Sequence, residues 1–180
     1  MRARIVGVAI AAVVLAVVDA PSVRAAPPAF DAGSGLPTVG NFSPVTLNGS
    51  DQLTSASIAP FAITDDSGAL AGWHVTLLVP NFQNGTGPDC AVGATGSIAG
   101  ANLSMGAPVV SAADAQTSMT GVTATAFRDF TTARTIVAAA VGDGAGTYDV
   151  APSMLQLIVP ADLASGAYCS QATIAITSGP

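Results

Sequence analysis

The sequence predicts an all-β fold, a two-layer antiparallel sandwich of the immunoglobulin-like kind with nine or ten strands. Three observations predict it. The chain has no Lys and no Glu; all 11 acids are Asp and its five cations are all Arg, so the residues that usually cover helix surfaces are nearly missing. Ser, Thr, Asn, Gly and Val are abundant, as strands and turns require. Short apolar runs are interrupted by turn residues all along the chain. Elements of that kind each have one apolar face to hide, and two facing sheets hide them best.

After an N-terminal leader, residues 26–40 are rich in Pro and Gly without periodicity and read as a flexible segment. The domain then spans 41–180. A strand is expected over 42–47, ending at the Asn48-Gly49 turn, and another from Ala56 to Thr64. Asp65 and Asp66 can accept local backbone hydrogen bonds and Gly68 can take positive φ, so 64–68 is a turn. Residues 72–79 alternate: Trp73, Val75, Leu77 and Val79 share one face, and His74, Thr76 and Leu78 the other. Pro80 stops this strand. A Gly-rich loop covers 83–97, and weaker strands are expected over 101–105, 108–112 and 121–127. The run 135–141 is apolar on both faces, as a central strand would be. Strands at 147–150 and 154–160 follow, then a corner at 162–168 and a last strand from Ala167 to Thr177.

The leader has three zones. Arg2 and Arg4 precede an uncharged apolar run from Ile5 to Val18, and small residues follow Pro21. This is the pattern of a cleavable signal peptide, residues 1–25, cut between Ala25 and Ala26. The apolar run is shorter than the roughly 20 residues a bilayer-spanning helix needs. Without Arg2, Arg4, Arg24 and Asp19, two Arg stand against ten Asp, a net charge near −8. Nucleic acid and anionic lipid both want clustered Lys and Arg, so neither is an expected partner, and no membrane span is expected after cleavage. Export favours a disulfide between the two cysteines, Cys90 and Cys169.

Two stretches resemble the two halves of a WxL domain, a peptidoglycan-binding domain of Gram-positive cell surfaces. In the first half, Asp65 to Gly68 supply the family's turn, Gly72-Trp73 its Gly-Trp pair, and Asn81-Phe82 the end of its strand. In the second, the strand ending in Val159-Pro160 is followed by Gly166, Tyr168 and a terminal strand that runs to Pro180. Together they cover about 75 residues. The first Trp-x-Leu motif is here Trp73-His74-Val75, and the second is Ile174-Ala175-Ile176. The resemblance implies a secreted, wall-associated domain that binds peptidoglycan or another surface glycan non-covalently; the alternative is a structural or assembly subunit that associates with other cell-surface proteins through its β-edges. It points to Trp73, Val75, Ile174 and Ile176 as candidate binding residues.

Trp73, the one tryptophan, has two readings. It is either an aromatic platform for a sugar or the core tryptophan of the sandwich, and its alternation with Val75 and Leu77 favours the core. His74 has no nucleophile beside it in sequence. With no Glu, no Lys and no Gly-x-Ser-x-Gly elbow, no acid, base or nucleophile set is visible, so no catalytic residue, metal ligand or cofactor is expected. Catalysis is not expected.

Overall fold

A computed structural model of the protein describes residues 26–85 and 96–179. The expected signal peptide, Cys90 and Pro180 lie outside the described residues. The protein is all-β and every strand pairing is antiparallel. The one helical element among the described residues is a 3-10 turn at Gly100–Asn102. In chain order the strands are β1 (Ala29–Phe30), β2 (Gln52–Ile58), β3 (Phe61–Asp65), β4 (Trp73–Leu78), β5 (Phe82–Asn84), β6 (Ser97–Ile98), β7 (Leu103–Met105) and β8 (Val110–Ala112). They continue with β9 (Val122–Ala124), β10 (Phe127–Arg128), β11 (Arg134–Ala139), β12 (Gly146–Val150), β13 (Ser153–Val159), β14 (Tyr168–Cys169) and β15 (Thr173–Ser178).

Fifteen segments stand where nine or ten strands were expected, and proline explains much of the difference. β2 pairs with β13 from Gln52↔Val159 to Ile58↔Ser153, and β3 pairs with β12 from Phe61↔Val150 to Asp65↔Gly146. The register continues unshifted across the gap, where Pro60 faces Ala151 and Pro152 faces Ala59. On the other side, β7 on β13 and β8 on β12 also share one register, with Pro108 opposite Pro152. Proline has no N–H to give to a ladder, so three prolines side by side split one long-stranded sheet into two. That sheet, with β1 on β3 and β10 on β7 at its margins, is the first layer.

The second layer runs β15-β4-β11-β9, extended at one end by β14-β5-β6. β4 behaves as its alternation requires: Trp73, Val75 and Leu77 are fully buried, while His74, Thr76 and Leu78 are half-buried on the other side. β11 is central, between β4 and β9. Its register shifts between Thr135 and Val137, so Ile136 is an extra residue, and Ile136 and Val137 are both buried in succession. The two layers enclose one core, in which the Trp73 and Tyr148 rings stand 5.4 Å apart across the interface.

Two segments differ from expectation. Residues 26–40 are docked along the first layer instead of forming a free lead-in. β1 pairs with β3, the Ala59 N–H donates to the Thr38 carbonyl, and the Gly40 N–H donates to the Ser57 carbonyl. Residues 42–47 form no strand. Pro44 removes a donor there, and the segment is held as a strap by Ser43, whose N–H donates to the Ser55 carbonyl and whose carbonyl accepts from Thr54 Oγ1. The turns follow the sequence more closely. The Ser67 N–H donates to Asp65 Oδ1 and Gly68 takes φ +62°, while Gly49 takes φ +80° beside Asn48.

Candidate functional site

Strand alternation decides where each predicted residue points. Trp73 and Val75 have no exposed surface, so both pack inward and neither offers a contact to a ligand in solution. The Trp73 indole N–H donates to the buried carbonyl of Gly144 at 2.8 Å, which satisfies its polar edge within the core. Ile176 lies opposite Val75 and Ile174 opposite Leu77, so the second motif turns to the same inner side. Both isoleucines are half-buried and pack on the core from its margin. The structure therefore brings the motif residues together, but as packing. Cys169 is in β14 beside β5; its expected partner Cys90 lies outside the described residues.

Two surfaces remain as candidates. The first is a cleft of about 1240 Å³ between the strap at 37–47 and the segment 163–174. Its floor is apolar, including Leu103, Leu155, Leu157 and Phe82. Three hydroxyls at its walls are committed to the protein: Thr54 donates to the Ser43 carbonyl, Tyr168 to Ala164 and Ser170 to Pro80. Thr38, Ser43, Ser165, Asn41 and Gln171 also line it.

The second is the outer face of the second layer, made by the residues between the motif positions. Pairing sets Thr177, His74, Ala138 and Thr123 in one row across β15, β4, β11 and β9. Ala175, Thr76 and Thr135 form the next row, and Thr173 with Leu78 a third. At about 4.8 Å per strand, a four-strand row is roughly 14 Å across. Thr123, Thr135, Thr173 and Thr177 are exposed. None of these residues is Asp or Arg, on a chain that carries 11 Asp against five Arg. His74 Nδ1 lies 2.7 Å from the Gly179 carbonyl; a carbonyl only accepts, so Nδ1 carries the proton and Nε2 is left for other partners. Sequence reasoning centred on the motif positions passed over this face. The signal was present in the same alternation, one residue out of step.

Nothing in the described residues assembles an acid–base pair. His74 hydrogen-bonds the Gly179 carbonyl, and no hydrogen bond joins it to a hydroxyl or a carboxylate among the described residues. Asp129 accepts from the Thr131 hydroxyl and amide, which with Arg134 hold its carboxyl below the usual range; it braces a turn. Tyr148 is shifted the other way by burial and by the charges of Asp143 and Asp65, and its hydroxyl donates within the fold to the Ser118 and Ala145 carbonyls. No group of three or more His, Cys, Asp or Glu residues converges as a metal site among the described residues. No helix there is long and apolar enough to cross a membrane. No family model, curated protein or solved structure matches this chain.

Proposed function

We propose that this is an exported, non-catalytic domain of the WxL-like kind, held at the cell surface by non-covalent contacts between the outer face of its second layer and wall peptidoglycan. The observation that carries the reading is that face: free of Asp and Arg, and bearing Thr123, Thr135, Thr173 and Thr177 in exposed positions. A chain with net charge near −8 after loss of its leader gains nothing from charge at an anionic wall. Hydrogen bonds from hydroxyls and the imidazole to sugar hydroxyls and amides avoid that penalty. An acid placed on the face should bring it back. Thr76→Asp and Thr177→Asp are expected to reduce co-sedimentation with insoluble peptidoglycan by about tenfold each, the loss of one or two hydrogen bonds plus repulsion. Their melting temperatures should stay close to that of the parent. Variants that sediment like the parent would place the contact elsewhere.

Export also bears on the cysteines. We propose that Cys90 and Cys169 are bonded, which ties Cys90 to β14 beside β5. Neither should react with an alkylating agent in denaturant until a reductant is added. Replacing both with Ser is expected to cost about 4 kcal/mol, the chain-entropy value for a loop of this length. Two thiols alkylated without reductant would refute the bond.

A further inference from the structure

The sheet margins are closed unequally. β1, β6, β10 and β14 have two residues each, β8 and β9 three, and β10 ends in the exposed Arg128. Short length and charge are the usual ways of keeping a free edge from pairing with another chain. β15 uses neither. It runs six residues, Thr173–Ser178, with no proline, no charged residue and a high content of β-branched side chains. It pairs with β4 on one side. β1 of the facing layer comes close to it, but the ladder of β1 is with β3. No backbone hydrogen bond ties β1 to β15 among the described residues.

The inner face of β15 is unfinished as well. Val75 and Leu77 on β4 are fully buried, yet Ile176 and Ile174 directly opposite them are only half-buried, and no strand pairs with β15 on the far side among the described residues. Burial of two isoleucines is what a further strand would supply.

We propose that this strand is β15 of a second copy, paired antiparallel about a two-fold axis. Two strands related this way present the same surface to each other, so a strand without charge meets no repulsion from itself. Directly opposed residues in an antiparallel pair lie on the same face, which restricts the registers available. The register with Ala175 on the axis sets Ile174 opposite the partner's Ile176 and Thr173 opposite the partner's Thr177. It is the one that places both isoleucines of each copy against isoleucine. The four strands of the second layer then continue into four from the partner, and the two outer faces become one surface. Pairing stands independently of what that surface binds. If it binds the wall, two linked faces hold more tightly than either alone, without a new contact.

Sedimentation equilibrium of the purified secreted chain, without any wall material, tests this. The wild type is expected to show twice the monomer mass, with dissociation on dilution. Ala175 is exposed and points outward, so Ala175→Lys and Ala175→Asp should each remain folded by circular dichroism and sediment as monomers. An equimolar mixture of the two variants should recover the dimer mass, since unlike charges then meet at the axis. A wild type that is monomeric at every concentration would overturn the proposal. So would variants that still dimerise alone, or folded variants whose mixture stays monomeric.

Discussion

Trp73→Ala is expected to destabilise the domain by about 3–5 kcal/mol, a large share of what a domain of this size has. The ring is fully buried, packs against Tyr148 at a centroid distance of 5.4 Å, and its removal would leave a cavity in the middle of the core. The indole also supplies the donor for the Gly144 carbonyl, so truncation leaves a buried acceptor without its partner. Trp73→Phe isolates much of the polar effect: it keeps one aromatic ring but loses the N–H along with part of the indole, and about 1–3 kcal/mol of the loss should remain. Chemical denaturation of the two variants measures both. The parent's tryptophan emission should be blue-shifted and poorly quenched by iodide. A solvent-quenched tryptophan, with little change in stability on truncation, would contradict the packing described above.

Gly144→Ala should be nearly as damaging, although it only adds a methyl group. Gly144 has φ +88°, where a residue with a side chain is strained. A Cβ built there would lie 2.5 Å from the Ala139 Cβ and 2.7 Å from Trp73 Nε1. Both neighbours belong to buried strands and neither is the end of a flexible chain, so the turn itself must move. That displaces the carbonyl Trp73 donates to. A loss of about 2–4 kcal/mol is expected, combining overpacking with backbone strain. Gly142→Ala is the control. It has a similar φ, +92°, but nothing within 4 Å of the added atom, so it should show the strain alone and a smaller loss. Equal losses at the two positions would mean that the contact with Trp73 is not what fixes Gly144.

These two residues also mark how far the sequence could be read. The alternation from Trp73 to Leu77, the turn at Asp65–Gly68 and the central place of the apolar run expected over 135–141 are local patterns; the first two appear as expected, and the run forms the central β11 at Arg134–Ala139. Nothing local to Asp143-Gly144 marks Gly144 as the seat of the tryptophan, because the contact joins segments distant in the chain. The bulge at Ile136 belongs to the register with β4 and has no signature in its own residues. The docking of 26–40 was invisible for the same reason: its hydrogen bonds go to β2 and β3, while its composition reads as loop. For the outer face of the second layer, alternation carried the information. The motif residues turned inward and the residues between them, His74, Thr76, Ala175 and Thr177, were left facing out.

Pairing along β15 and binding across the face draw on different parts of the same strand. The backbone edge and the inward isoleucines serve the first, and the outward threonines serve the second. Ala175 lies in the same outward row as Thr76 and Thr135, so the Ala175 variants report pairing through the sedimenting mass alone, and wall binding is read on Thr76→Asp and Thr177→Asp.

The most direct test of the wall-binding face is co-sedimentation of the purified secreted domain with insoluble peptidoglycan at low and at high salt. Contacts made by hydroxyls and an imidazole are insensitive to screening, whereas contacts between charges weaken as the screening length falls from roughly 10 Å at 0.1 M to 3 Å at 1 M. The bound fraction is expected to be the same, or slightly higher, in 1 M salt. A domain that stays in the supernatant at both concentrations, or one that is released as salt is raised, would contradict it.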